Sequence, residues 1–200
     1  MPSLESLTDT DAKVRMVLEG SCIYHDDSSG SEALDAWTRS RRFIADALRQ
    51  DGTFLDYGCA NGFLLRCLQE WSTFKLDPYG IELDPGRLAQ ARAMFPGLRG
   101  HFVRPDQLGV AADFPKSFGH VYWAVGDNVD FGRPEYQRWL AKVLALTDPA
   151  GRFVIGLYDT PDANRVQLDR LMSIGLWFGE IRWNEVGDGE VVAWLDFSLP

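Results

Sequence analysis

From residue 53 onward, short apolar runs of strand type alternate with segments whose apolar residues recur every three or four positions. Residues 53–57 (TFLDY) read as a buried strand. Residues 62–71 follow as a helix with Leu64, Cys67, Leu68 and Trp71 on one face. Residues 79–83 form a second strand, after which Asp84 and Pro85 supply the cap and first-turn proline of a helix carrying Leu88, Ala91, Met94 and Phe95. A weaker strand at 101–104 and a stronger one at 118–125 come next, then a helix opened by Pro134. The stretch DPAGRFVIGLY turns into another apolar strand, and Thr160-Pro161 caps a further helix. The last segment changes character. Residues 177–186 and 191–199 flank Gly187-Asp188-Gly189, which is hairpin chemistry. Strands separated by helices require parallel crossovers, whereas a hairpin adds an antiparallel pair. The pattern therefore predicts an α/β three-layer αβα sandwich, with a seven-stranded, mostly parallel sheet and a C-terminal antiparallel hairpin.

Two hundred residues without a linker suit one domain, residues 1–200, with a helical segment at 1–50 preceding the alternating core at 51–200. No apolar run approaches the ~18 residues of a membrane span. The acidic, mixed start MPSLESLTDTDAKVRMVLEG lacks the form of a secretory signal, so a cytoplasmic location without membrane contact is expected. The three cysteines form no CxxC pair, and His25-Asp26-Asp27 is too local to surround an ion, so no metal is expected. A net charge of −9 argues for a small-molecule partner and against nucleic acid, which demands a basic footprint. Oligomeric state is not specified by any of these features.

In an open sheet of this kind ligands bind beyond the carboxyl ends of the strands, near the switch in strand order. The first strand ends there in Gly58-Cys59-Ala60-Asn61-Gly62. That turn reads as a source of uncovered backbone N–H groups at a helix start, suited to a carboxylate or phosphate. Its G-x-x-x-G spacing differs from the G-x-G-x-x-G of dinucleotide binders, which disfavours a nicotinamide-dependent oxidoreductase. Glu82, at the tip of the second strand, is a natural acceptor for two ribose hydroxyls. Leu83 is placed to pack on an adenine face, and Asp106 and Gln107, after the third strand, to meet an adenine amino group.

These residues resemble the class I S-adenosylmethionine-dependent methyltransferases. LDYGCANG is similar to their glycine-rich first motif, YGIELDP to their acidic second-strand motif, and LTDPAGRFVIG to the approach to their fifth strand. The resemblance implies the Rossmann-like methyltransferase fold, S-adenosylmethionine as cofactor, and methyl transfer to an oxygen or nitrogen of a small molecule. It implies that Asp56 and the turn from Gly58 to Gly62 hold the methionine end, Glu82 the ribose, Leu83 and Asp106 the adenine. Val125 and Gly126 would lie near the sulfonium. Cys59-Ala60 stands where many members carry a further glycine.

Methyl transfer from a sulfonium is an in-line displacement that needs positioning, a dry site and sometimes a base. Asp127 and Asn128 follow the fourth strand, facing the transferring methyl, and are the candidate catalytic pair. The Asn/Asp-Pro-Pro-aromatic motif of many amine methyltransferases is absent. The resemblance also implies that the segment before the first strand closes over the cofactor as a lid, bringing Tyr24, His25, Trp37 and Arg41 to the acceptor. A catalytically silent S-adenosylmethionine-binding protein is the alternative reading.

Overall fold

The computed structural model describes residues 3–21, 29–112 and 114–197. Seven strands form one sheet: β1 (Gly52–Tyr57), β2 (Leu76–Ile81), β3 (Phe102–Val103), β4 (Phe118–Val125), β5 (Thr147–Leu157), β6 (Glu180–Trp183) and β7 (Val191–Asp196), in the order β3-β2-β1-β4-β5-β7-β6. β1 to β5 are parallel, and β7 runs antiparallel to both β5 and β6. This is the predicted sandwich. The order reverses between β1 and β4, so the ends of these two strands open a crevice.

Strand alternation divides the core in two. Phe54, Tyr122, Val154 and Val192 face α2 (Asp11–Gly20), α3 (Gly30–Arg41), α4 (Phe63–Trp71) and α5 (Pro85–Met94). Leu55, Trp123, Ile155 and Ala193 face α6 (Pro134–Leu144) and α7 (Pro161–Ser173). The short helix α1 (Leu4–Thr8) precedes these.

Three elements differ from the sequence pattern. Within the helical segment expected at 1–50, the last helix stops at Arg41 and continues as a 3-10 turn, Arg42–Ala47. Its buried residues Ile44 and Ala47 stand three apart, the spacing that a 3-10 turn stacks on one side. The two edge strands β3 and β6 are shorter than the apolar runs that announce them. At an edge only one neighbour supplies ladder bonds: all four β6 residues pair with β7 alone, and none of the four is buried. The N-terminal segment is also better anchored than its composition indicates. Val14, Val17 and Leu18 of α2 are buried in the core shared with α3 and α4. α2 is thus packed like any core helix and not held loosely as a lid would be; residues 22–28 of the expected lid lie outside the described residues.

Candidate active site

A cavity of about 460 Å³ opens at the carboxyl ends of β1, β4 and β5, on the face covered by α3. Its floor is the turn after β1, with Asp56, Gly58, Cys59 and Ala60. Val125, Gly126, Asp127 and Asn128 form the rim after β4, and Trp37 and Arg41 of α3 form the roof. Ala124 of β4 is among the residues that line it, and a larger side chain at that place would intrude on the space.

The two glycines of the turn have different reasons. Gly58 has φ +89°, and a Cβ there would meet nothing within 4 Å, so its open side belongs to the cavity. Gly62 has φ +78°, and a Cβ would lie 3.2 Å from the Phe95 ring and 3.4 Å from Ala91. It permits α4 and α5 to approach and does not line the cavity. Lacking a side chain, it also leaves the start of α4 uncapped, and Asn61 supplies the missing acceptor. Its Oδ1 accepts from Phe63 N at 3.1 Å and from the Ser21 hydroxyl at 2.8 Å, while its Nδ2 donates to Val17 O at 2.8 Å. Asn61 ties α2 to the turn; it is turned away from the cavity and is corrected from ligand-facing to structural.

The turn is not a nest of free N–H groups. Gly58 and Cys59 both donate to Ile81 O, Gly62 donates to Cys59 O, and Ala60 donates to Glu82 Oε2 at 2.9 Å. Ala60 reaches that bond in a left-handed conformation, φ +49°, which costs an L-residue about 1–2 kcal/mol. Glu82 also accepts from Asp84 N at 2.7 Å, clasping the turns after β1 and β2 together. Each carboxylate oxygen retains a lone pair.

The consequence is an acidic floor. Asp56 is buried, and its carboxyl has no hydrogen-bond partner among the described residues; burial, and then the charge of Glu82, push its pKa up to about 8. Such a surface suits a cation and repels phosphate, the reverse of the anion site expected from the glycines. Burial also raises the Cys59 thiol well above its ordinary range, so it acts as a small wall residue and not as a nucleophile.

The adenine-side candidates are dispersed. Leu83 is 67% exposed beside the β2 end and does not line the cavity. Asp106 and Gln107 lie on the 3-10 turn Pro105–Gln107, where Asp106 pairs with Arg104 at 3.3 Å and Gln107 Oε1 accepts from Arg104 N at 3.0 Å. Short polar side chains there satisfy their own turn, and neither residue reaches the cavity. Asp127 and Asn128 are exposed at the rim. Tyr24 and His25 lie outside the described residues. Among the described residues no group of three His, Cys, Asp or Glu could hold a metal, and no helix is long and apolar enough to cross a membrane.

Sequence reasoning missed Tyr122 and Tyr158, whose hydroxyls meet at 2.7 Å in the cavity wall. The signal was a phenol inside the apolar strand FGHVYWAV, since a buried hydroxyl there needs a partner.

No protein-family model matches the sequence, and no curated protein matches it. Solved structures do. A methyltransferase from Pyrococcus furiosus superposes with a TM-score of 0.58 at 14% identity, covering 96% of this chain and 95% of that one. A SAM-dependent methyltransferase from Aquifex aeolicus gives 0.56 at 15% identity, over 83% and 96%. An rRNA methylase from Streptococcus thermophilus gives 0.54 at 15% identity, over 82% and 97%. This last likeness overturns the exclusion of nucleic acid. The same architecture serves an rRNA methylase, and a net charge summed over a whole chain does not describe the local surface an acceptor meets. From strand order, terminal hairpin and these superpositions together, the chain has the fold of the class I S-adenosylmethionine-dependent methyltransferases.

Proposed function

We propose that the protein is an S-adenosylmethionine-dependent methyltransferase whose cofactor lies with its amino-acid end over Gly58 and its ribose toward Glu82. The observation that carries this reading is the acidic, glycine-opened floor of the cavity. Asp56 offers a buried carboxyl without a partner, and Gly58 offers open space against the backbone. An α-ammonium fits that floor and a pyrophosphate does not, which also favours this cofactor over a dinucleotide.

When bound, the cofactor supplies an electrophilic methyl on its sulfonium. The chain's own residues position and shield. Val125 and Gly126 bound the space at the β4 end, Trp37 covers it from α3, and Asp127 and Asn128 stand at the rim where an acceptor enters. Asp127 orients the acceptor or removes its proton as the methyl transfers. The cavity takes a small acceptor whole, or one protruding group of a larger one.

Calorimetric titration with S-adenosylmethionine, followed by transfer of a labelled methyl group to a panel of acceptors, tests the reading. Saturable binding with one site per chain and label appearing in an acceptor are expected. Binding without transfer would favour the silent binder, and failure to bind would refute both.

A further inference from the structure

Arg41, at the end of α3, points into the cavity with its guanidinium carbon 3.7 Å from the centre of the Tyr158 ring and 5.3 Å from that of Trp37. Stacking occupies the face of the guanidinium and leaves its N–H edge available. One Nη1 donates to Ser40 O at 3.1 Å, and among the described residues no carboxylate pairs with it. Beside it, the Tyr122 and Tyr158 hydroxyls share one hydrogen bond. Two hydroxyls carry two protons, and their mutual bond uses only one. The other has no acceptor among the described residues, although Tyr122 is fully buried and Tyr158 half-buried beside it.

The pair is built into the sheet. A Cβ on Gly156 would lie 2.6 Å from Tyr122 Oη and 2.6 Å from Tyr158 Cε2, so only glycine at that place on β5 lets the two rings meet. Burial raises both phenols above their ordinary range, which keeps them protonated donors and unsuited to act as bases. This end of the cavity therefore presents unspent donors and a positive charge, opposite in character to the Asp56 floor.

We propose that Arg41 and the Tyr122–Tyr158 pair form a carboxylate-binding subsite at the β5 side of the cavity. A carboxylate presents two oxygens to the guanidinium fork and accepts the remaining phenol proton. It has two available sources, the amino-acid end of the cofactor or an acidic group on the acceptor. Both sources rest on the methyltransferase reading, whereas binding of a carboxylate by this subsite does not.

The test compares the wild type with Arg41→Gln and Tyr158→Phe, each checked for folding by circular dichroism. Three probes are titrated: S-adenosylhomocysteine, 5′-methylthioadenosine, which lacks the amino-acid end, and sodium benzoate, with inorganic phosphate as control anion. If the cofactor's carboxylate occupies the subsite, Arg41→Gln weakens S-adenosylhomocysteine about 10- to 100-fold and leaves methylthioadenosine unchanged, and Tyr158→Phe weakens it several-fold. If the acceptor's carboxylate does, S-adenosylhomocysteine is unaffected, while benzoate binds the wild type in preference to phosphate and is lost in Arg41→Gln. The subsite is overturned if Arg41→Gln loses both nucleosides alike, or loses neither while benzoate fails to bind the wild type. A wild type that binds benzoate but neither nucleoside keeps the subsite and refutes the methyltransferase reading.

Discussion

On the α6 and α7 side of β4, Val121, Trp123 and Val125 are buried, and Trp123 lies among Tyr57, Phe131 and Trp139 with ring centres 5.8, 5.7 and 5.1 Å away. On the other side the intervening residues are Tyr122 and Ala124, flanked by Asp56 on β1 and Gly156 on β5. One set of strands thus presents a closed aromatic core to one layer and an open, polar cavity to the other. The contrast teaches that the packed face supplies rigidity while the cavity face carries an uncompensated buried carboxyl and a strained turn, features that a stability-driven core would lack.

Substitutions should separate the two faces. The largest effect is expected from Trp123→Ala, which empties the aromatic cluster and should lower unfolding free energy by about 3–5 kcal/mol in chemical denaturation. S-Adenosylmethionine affinity of the folded fraction should change little. On the cavity face, Glu82→Ala should weaken S-adenosylmethionine by a factor of about 30 to 1000, corresponding to about 2–4 kcal/mol, as read by calorimetry. It removes the ribose acceptor and the clasp on Ala60 and Asp84 together. An unchanged dissociation constant would remove Glu82 from the ribose.

Asp56→Asn should move stability and binding in opposite directions. Because the folded-state pKa of Asp56 is raised from 3.8 to about 8, the native state binds more protons than the unfolded chain between those values. Stability from this group is therefore full below about pH 4 and is lost as pH rises toward 8. The asparagine variant should escape that loss, so its stability advantage over wild type should grow between pH 4 and 8 by up to about 1.4 kcal/mol per pH unit. In the wild type, an arriving ammonium favours the ionised carboxylate, so S-adenosylmethionine affinity should weaken as pH falls below about 8, and the variant should lose this dependence. Thermal unfolding and titrations from pH 6 to 9 check both.

The smallest effects sharpen the comparison inside one turn. Gly58→Ala and Gly62→Ala each force alanine into positive φ and should cost about 1–2 kcal/mol of stability. Only Gly58→Ala intrudes on the cavity, so only it should reduce cofactor affinity.

Much of the fold could be read from the chain because strand and helix periodicities, the Asp84-Pro85 and Thr160-Pro161 helix starts and the Gly187–Gly189 turn are local signals. The cavity lining was legible where position along a strand decides it, as for Asp56, Gly58 and Gly126. It was not legible where partners come from afar. Asn61 resembles a ligand residue until Val17 and Ser21 fold against it, and the spent N–H groups of the turn become visible only when Ile81 O lies beside them. The tyrosine pair depends on Gly156, in another strand, and no local pattern announces that contact.

If S-adenosylmethionine occupies the cavity over the ends of β1 and β4, its binding must perturb the residues that line it. Amide NMR on the wild-type chain during titration with S-adenosylmethionine tests it directly. Saturable shifts concentrated at Gly58, Ala60, Val125 and Gly126 are expected, with little change around Trp123 and α6. No shifts, or shifts confined to residues away from these strand ends, would contradict it.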